Sequence, residues 1–201
     1  MYTIPKFYSV LEPLVCLSKA FTEQEIEAII EIGDKQIFMD GRVGSAVQEG
    51  VVNENIRTSK ITWIEPQQQR NEWLFQKMCE ITSRINHDKY QFELDSLPSF
   101  QYTTYEDGGF YDWHIDSDNQ FTYGPKFRKL SFSLLLSDPE TEFTGGEFQF
   151  IPSGNIKDIE IAKMSKGDII AFPSFIPHRV TEVMTGKRKS LVFWVLGPKF
   201  K

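Results

Sequence analysis

The 201-residue sequence predicts an α+β fold, mainly β, in which helices from the first half pack outside a small antiparallel β-barrel. Two observations carry this expectation. Apolar residues recur at three- and four-residue spacing in the first half and at two-residue spacing in the second, and these are the helix and strand periods. The second half is also cut into short runs by Gly, Pro, Ser and Asp, as the strands of sandwiches and barrels are. No linker, composition break or internal repeat separates the halves. One domain is therefore expected, with helical support and flanking strands in 1–95 and the β-structure in 96–201.

The elements follow in chain order. Thr22 and Glu25 have the spacing of a capping box, and Phe21 with Ile26 can close a hydrophobic staple around it. Ile26, Ile29 and Ile30 then fall on one helical face. A polar, Gly-containing loop over 40–55 leads into a strand over 56–64. A second helix is expected from Pro66, a residue tolerated in a first turn. Its buried stripe is Leu74, Met78, Ile81 and Ile85. From about Leu97 the period shortens: Leu130, Phe132, Leu134 and Leu136 alternate with Ser131 and Ser133, and Phe148 and Phe150 flank Gln149. Further short strands are expected over 168–172, 178–183 and 188–196, with Val183-Met184-Thr185-Gly186-Lys187 read as a hairpin turn.

Composition narrows the function classes. With 40% hydrophobic, 25% charged and 14% aromatic residues, the chain has what a packed core needs and is not disordered. Its net charge is −6 and no run of Lys or Arg marks a phosphate-binding footprint, so nucleic acid is disfavoured as a partner. Cys16 and Cys79 lack any pairing or metal-ligand spacing, which fits a reducing compartment. No secretory leader pattern and no apolar stretch of bilayer length is visible, so a cytoplasmic protein without membrane partners is expected.

The chemistry concentrates in the histidines, of which there are three: His87, His114 and His178. Tyr111-Asp112-Trp113-His114-Ile115-Asp116 places a His and an Asp two apart. On a strand both point one way, with Ile115 packing opposite. His178, in Phe175-Ile176-Pro177-His178-Arg179-Val180, is the candidate third ligand. Two imidazoles and a carboxylate on one face of an octahedral ion leave three positions open, as non-haem Fe(II) oxygenases require. A structural zinc site would be closed by four ligands, often Cys, and none lies nearby. Taken alone, a His-x-Asp tripeptide is a weak signal, and Asp118 offers a second carboxylate on the same face.

Ten residues beyond His178 comes Arg188, which alternates with Ser190, Val192 and Trp194 onto one strand face. If that face lines the interior, a buried guanidinium needs an anion, and a carboxylate fits it in bidentate fashion. The alternative is a surface Arg in a basic turn with Lys187 and Lys189. The wider text then carries a resemblance. The segment Tyr105-Glu106-Asp107-Gly108-Gly109-Phe110-Tyr111-Asp112-Trp113-His114-Ile115-Asp116 is followed by Gly145-Gly146-Glu147-Phe148. Next come Gly167-Asp168-Ile169-Ile170-Ala171-Phe172-Pro173-Ser174, His178, Arg188 and Trp194, with Arg57-Thr58-Ser59 upstream. In order and spacing, this resembles the 2-oxoglutarate/Fe(II)-dependent dioxygenase superfamily, in its prolyl 4-hydroxylase-like branch.

The resemblance implies a double-stranded β-helix, a jelly-roll or cupin-like barrel, as the catalytic part over 96–201. It implies that His114, Asp116 and His178 ligate Fe(II), and that Arg188 and Tyr105 hold the far carboxylate of 2-oxoglutarate. Trp194 and Tyr111 would lie beside the substrate, with core packing as the alternative for Trp194. O2 is the other co-substrate, and ascorbate is a candidate accessory. The implied reaction couples oxidative decarboxylation of 2-oxoglutarate, to succinate and CO2, with hydroxylation. The branch favours a prolyl residue in a peptide or protein, with the loops 40–55 and 117–127 flanking the mouth. The Gly145-Gly146 and Gly167-Asp168 pairs read as turn chemistry. Nucleobase demethylation is disfavoured by the acidic charge and by Arg188 standing as the one arginine on its strand. Two alternatives remain: hydroxylation of a free amino acid or small metabolite, and a non-catalytic barrel binding a metal or organic acid. Oligomeric state is left open.

Overall fold

The capping box at residue 22 forms and starts the first helix. Glu25 N donates to Thr22 Oγ1 at 3.3 Å, and Thr22 N donates to Glu25 Oε2 at 2.8 Å. The computed structural model describes residues 11–43, 51–117 and 126–199, so parts of both expected mouth loops, and Asp118, lie outside the described residues. In chain order the first half contains β1 (Val15–Leu17), α1 (Glu23–Asp34), β2 (Met39–Asp40), β3 (Arg57–Thr58), β4 (Lys60–Ile64) and α2 (Glu72–Ile85). The second half contains β5 (Phe100–Tyr105), β6 (Phe110–His114), β7 (Lys126–Leu135), β8 (Phe143–Gly145) and β9 (Phe148–Phe150). It ends with β10 (Glu160–Ala162), β11 (Ile169–Pro173), β12 (His178–Val180), β13 (Val183–Gly186) and β14 (Arg188–Pro198).

The helices depart from the sequence expectation in two details. α1 buries Ile26, Ile29, Ile32 and Gly33, while Ile30 is only half-buried at the edge of that stripe. Gly33 is small for a reason: a Cβ there would sit 2.6 Å from Tyr102 Cγ, so α1 lies directly on that ring. α2 begins at Glu72 rather than Pro66. Pro66 stands in a turn, which Asn71 closes by donating from Nδ2 to Glu65 O at 2.8 Å. Leu74, Met78, Ile81 and Ile85 are buried as their spacing requires. Each such side chain stabilises the fold by about 1.5–3 kcal/mol.

Among the described residues, three sheets organise the rest. The major sheet has seven strands in the order β1-β11-β7-β14-β5-β4-β2, the minor sheet five in the order β10-β9-β12-β6-β3, and β13-β8 form a ribbon. The sheets do not close on themselves, so the expected barrel is an open sandwich. The strand expected over 56–64 is two strands: β3 pairs β6 in the minor sheet, and β4 pairs β5 in the major one. The chain changes sheets at Ser59. Nor is 183–187 a hairpin turn. β13 is a strand paired with β8, and β14 leaves it to pair with β5 and β7.

Faces are assigned by alternation. Phe100, Tyr102, Leu130, Phe132, Leu134, Leu191 and Phe193 point from the major sheet to α1 and α2, forming the larger core. A smaller core of Tyr105, Leu135, Phe148, Phe150, Phe172 and Val180 lies between the two sheets. The inner face of the major sheet also carries Gln101, Thr103, Ser131, Ser133 and Ser190, all buried. Polar residues on a doubly covered sheet mark the inner face as a site rather than a core. Among the described residues, no helix is long and apolar enough to cross a membrane.

Candidate metal centre

β6 and β12 bring the first two candidate ligands together, because His114 and His178 stand opposite each other in the antiparallel pairing. The register slips between His178 and Val180, a local irregularity of the kind found beside functional sites. β6 ends at His114, so Asp116 is placed by the next segment and not by strand alternation. Asp116 N and Ser117 N both donate to Ser174 O, at 2.9 and 2.8 Å, tying the carboxylate to the loop that leads into β12. Ile115, expected to pack opposite, is exposed instead.

One donor atom from each of His114, Asp116 and His178 lies within 4.8 Å of the others. His114 Nε2 is 3.8 Å from Asp116 Oδ1, and His178 Nε2 is 3.5 Å from Asp116 Oδ2. Neighbouring donors on an octahedral ion stand roughly 3 Å apart, so the three side chains would draw together around a bound ion. Both rings are oriented for this. His114 Nδ1 bonds Asp112 O at 2.7 Å and His178 Nδ1 bonds Ile176 O at 2.9 Å. Carbonyls only accept, so each Nδ1 carries the proton and each Nε2 presents its lone pair to the shared space.

The charge states agree with a cation site. Burial, with the second imidazole beside it, pushes His114 down to about 3, keeping it neutral. Burial alone would raise Asp116, but Arg128 and the Ser131 hydroxyl help to hold its carboxyl below the usual carboxylate range. Tyr111 stacks on His114 with centroids 3.6 Å apart, and Phe148 and Phe172 pack against His178 at 5.4 and 4.7 Å. These rings keep both imidazoles from turning. His87 is elsewhere, exposed beside Asp88 after α2.

From the triad a cavity of about 280 Å³ runs to Arg188, lined also by Tyr105, Tyr111, Trp194, Arg42, Arg57 and Arg128. Arg188 is 2% exposed, so the surface alternative is excluded. Its Nη1 donates to Ser190 Oγ at 3.2 Å, while its Nε is buried without a hydrogen-bond partner among the described residues. Burial pushes its pKa down. Tyr105 is its register partner on β5, with the guanidinium carbon 5.6 Å from the ring centre. A buried cation short of an acceptor, at the far end of a cavity that begins at a 2-His-1-carboxylate cluster, fits a dicarboxylate. Gly146, with φ +59°, makes room: a Cβ there would lie 2.9 Å from Arg188 Cδ. Gly145 and Gly167 also have positive φ, as the turn reading requires.

Arg128 went unread in the sequence. Alternation from Leu130 would put it on the helix-facing side. The β7–β14 register shift between Val195 and Leu196 leaves Lys129 as an extra residue. Arg128 thereby turns inward, over the Trp194 ring at 3.9 Å.

Comparison with known proteins converges on one family. The model of the 2OG-Fe(II) oxygenase superfamily matches residues 100–196. A PKHD-type hydroxylase of Acidovorax ebreus is 36% identical over 99 residues, 47% of this chain and 41% of that protein. The PKHD-type hydroxylase PiuC of Pseudomonas aeruginosa is 24% identical over 186 residues, 90% of this chain and 77% of that protein. The chain therefore spans less than half of the first relative and about three quarters of the second. Among solved structures, a Pseudomonas putida prolyl-4-hydroxylase superposes with a TM-score of 0.72 at 19% identity, covering 94% of each chain. A Trichoplax adhaerens prolyl hydroxylase, in complex with a hypoxia inducible factor oxygen degradation domain peptide fragment, gives 0.74 at 17%, covering 92% and 84%. The fold is the double-stranded β-helix that the resemblance implied, with its sheets open.

Proposed function

We propose that the chain, which is similar to the 2OG-Fe(II) oxygenase superfamily over residues 100–196, is such an oxygenase and hydroxylates a prolyl residue of a peptide or protein, with Fe(II) held by His114, Asp116 and His178. The observation that carries the site assignment is the three donor atoms within 4.8 Å at one end of a cavity whose other end is Arg188. Bound there, Fe(II) with 2-oxoglutarate and O2 supplies the oxidising power for hydroxylation, at the expense of 2-oxoglutarate becoming succinate and CO2.

The chain's own residues supply placement and exclusion. Backbone carbonyls at Asp112 and Ile176 fix the imidazole tautomers, and Ser131 steadies Asp116. Arg188 and Tyr105 bind the far carboxylate of 2-oxoglutarate. Phe148, Phe172 and Val180 line the cavity and limit water. Trp194 and Tyr111 offer aromatic walls to the target residue. The hydroxylase reading is supported by the relatives' description as PKHD-type hydroxylases, and the peptide substrate by a structural neighbour seen with a peptide fragment. The apolar side chain of Ile115, exposed beside Asp116, offers a chain somewhere to rest.

The test is Fe(II)-dependent succinate release by the wild-type protein and by the His114→Ala and Asp116→Ala variants, followed by mass spectrometry of proline-containing peptides and free amino acids. Succinate release lost in both variants, with a peptide gaining one oxygen in the wild type, is expected. Equal release by all three proteins ends the assignment, and a free amino acid gaining the oxygen transfers the substrate to the metabolite class.

A further inference from the structure

We propose that Arg57 forms a second anion seat in the cavity, distinct from Arg188, and that the substrate presents a carboxylate there, beside the carbon that is oxidised. This rests on the dioxygenase reading and extends it to the chemistry of the substrate.

Arg57 is 5% exposed. It is held from several sides. Nε donates to Ser59 Oγ at 2.7 Å, Nη1 reaches Arg42 O at 3.5 Å, and the guanidinium lies 4.6 Å from the centre of the Tyr111 ring. Nη2 is buried and finds no hydrogen-bond partner among the described residues. The backbone is shaped around this group: a Cβ on Gly41 would stand 2.5 Å from Arg57 Nε and 2.4 Å from Ser59 Oγ. Gly41 N also donates to Ser59 O at 2.8 Å, which keeps that segment against the arginine. Every one of these partners is neutral. A fixed, buried cation without a counter-ion is costly, and such a group persists where an anion meets it in use.

Its place separates it from the co-substrate anchor. Arg57 is the register partner of Tyr111 on the minor sheet, and Tyr111 stacks on His114. Arg188 pairs with Tyr105 on the major sheet. One guanidinium therefore lies on the metal-bearing sheet and the other across from it. Among the described residues the cavity is lined by Arg42, Arg57, Arg128 and Arg188 against a single carboxylate, Asp116. With Asp116 committed to the metal and Arg188 to 2-oxoglutarate, Arg57 is left to face the substrate. A planar carboxylate suits a guanidinium in bidentate fashion, and low water content strengthens the pair. The cavity, about 280 Å³, is shared with the co-substrate and has room for a carboxylate beside it.

The carboxylate has two sources: the α-carboxylate of a C-terminal or free residue, or an Asp or Glu side chain next to the target. Binding is measured by calorimetry on the Fe(II)-loaded protein with 2-oxoglutarate and without O2, so no turnover enters. The probes are free L-proline, a short peptide ending in proline, its C-terminal amide, and an amidated peptide with an internal Pro-Glu pair. At least one carboxylate-bearing probe is expected to bind at least about tenfold more tightly than the plain amide, and which one does so identifies the source. Arg57→Gln should erase that preference, and Arg57→Lys should keep part of it. The wild-type comparison of acid with amide needs no variant, so it stands even if Arg57→Gln fails to fold. Equal affinity for acids and amide, or none for any probe, overturns the proposal. So does an equal loss for all probes in Arg57→Gln, or tighter binding of a short single-stranded oligonucleotide. Failure of the wild type to bind 2-oxoglutarate would instead strike the dioxygenase reading beneath it.

Discussion

Replacing Arg188 with Met should raise the stability of the ligand-free protein while destroying its affinity for 2-oxoglutarate, and the opposite signs make the test strict. In the ligand-free state Arg188 is 2% exposed, holds one hydrogen bond of 3.2 Å to Ser190, and leaves Nε without a partner. Exchanging a buried, poorly paired charge for an apolar side chain of similar length commonly stabilises by about 1–3 kcal/mol. In a chain of this size that is a rise in Tm of roughly 2–12 °C. With 2-oxoglutarate present the balance reverses, because a carboxylate would be buried against a thioether. Losing one partner of a buried charge pair costs about 3–5 kcal/mol, or roughly 10²–10⁴-fold in Kd. Thermal unfolding of the metal-free protein and calorimetric titration of the metal-loaded protein read the two signs separately. A metal-free Arg188→Met variant that melts well below the wild type, or one that binds 2-oxoglutarate normally, would refute the reasoning. The first would mean that the guanidinium holds the sheets together; the second, that it faces no ligand.

Other perturbations test other links. Gly146→Ala should lower 2-oxoglutarate affinity about tenfold, because a Cβ 2.9 Å from Arg188 Cδ displaces the guanidinium, and should cost about 1–2 kcal/mol in thermal stability from strain at φ +59°; an unchanged Kd would show that the Arg188 stem adapts freely. Gly33→Ala places a methyl 2.6 Å from the Tyr102 ring and should cost about 1–3 kcal/mol by denaturant unfolding, with ligand affinity unaltered. Thr22→Ala removes the cap of α1 and should cost about 1 kcal/mol. Burial tends to raise the Glu25 carboxyl, but hydrogen bonds from Lys77 and Thr22 hold it below the usual glutamate range. A carboxyl lowered by folding stabilises fully above its unfolded value, and that contribution is lost as pH falls through the lowered one. Glu25→Gln should therefore lower stability in the neutral region, where that contribution is complete, and flatten part of the acid limb of the stability–pH curve.

What the sequence disclosed depended on whether a local rule and the tertiary structure agreed. His114 and Asp116 could be paired from their spacing, yet β6 stops at His114, and Asp116 reaches the site through backbone bonds to Ser174 O. The spacing succeeded although the strand alternation behind it did not hold. Arg188, Ser190, Val192 and Trp194 were legible because β14 is regular over that stretch and all four line the cavity. Arg128 was illegible because one extra residue at Lys129 reverses the face of everything before it, and a register shift has no signature in the hydrophobic pattern. Pro66 misled for a simpler cause: proline suits a first helical turn and a loop equally, and the side chain of Asn71 decided for the loop. The break at Ser59 was hidden because both pieces of the expected strand are strands; only their partners differ.

The division of the site between two sheets has a consequence for the order of events. The metal candidates belong to β6, the segment that follows it and β12, on the minor-sheet side, while Arg188 and Tyr105 belong to β14 and β5 on the major one. A dicarboxylate that touches both ends of the cavity bridges the two sheets. Between them lie Phe148, Phe172 and Val180, a smaller core than the one under the helices. Bridging a weakly packed seam with a charged ligand should protect the inner strands more than the outer layer. Slower amide exchange on 2-oxoglutarate binding is therefore expected in β6, β12 and β14 together, with α1 and α2 unchanged. Protection confined to β14 would mean that the ligand rests on Arg188 without reaching the metal. That pattern would separate the two halves of the proposed centre even in a protein that binds both.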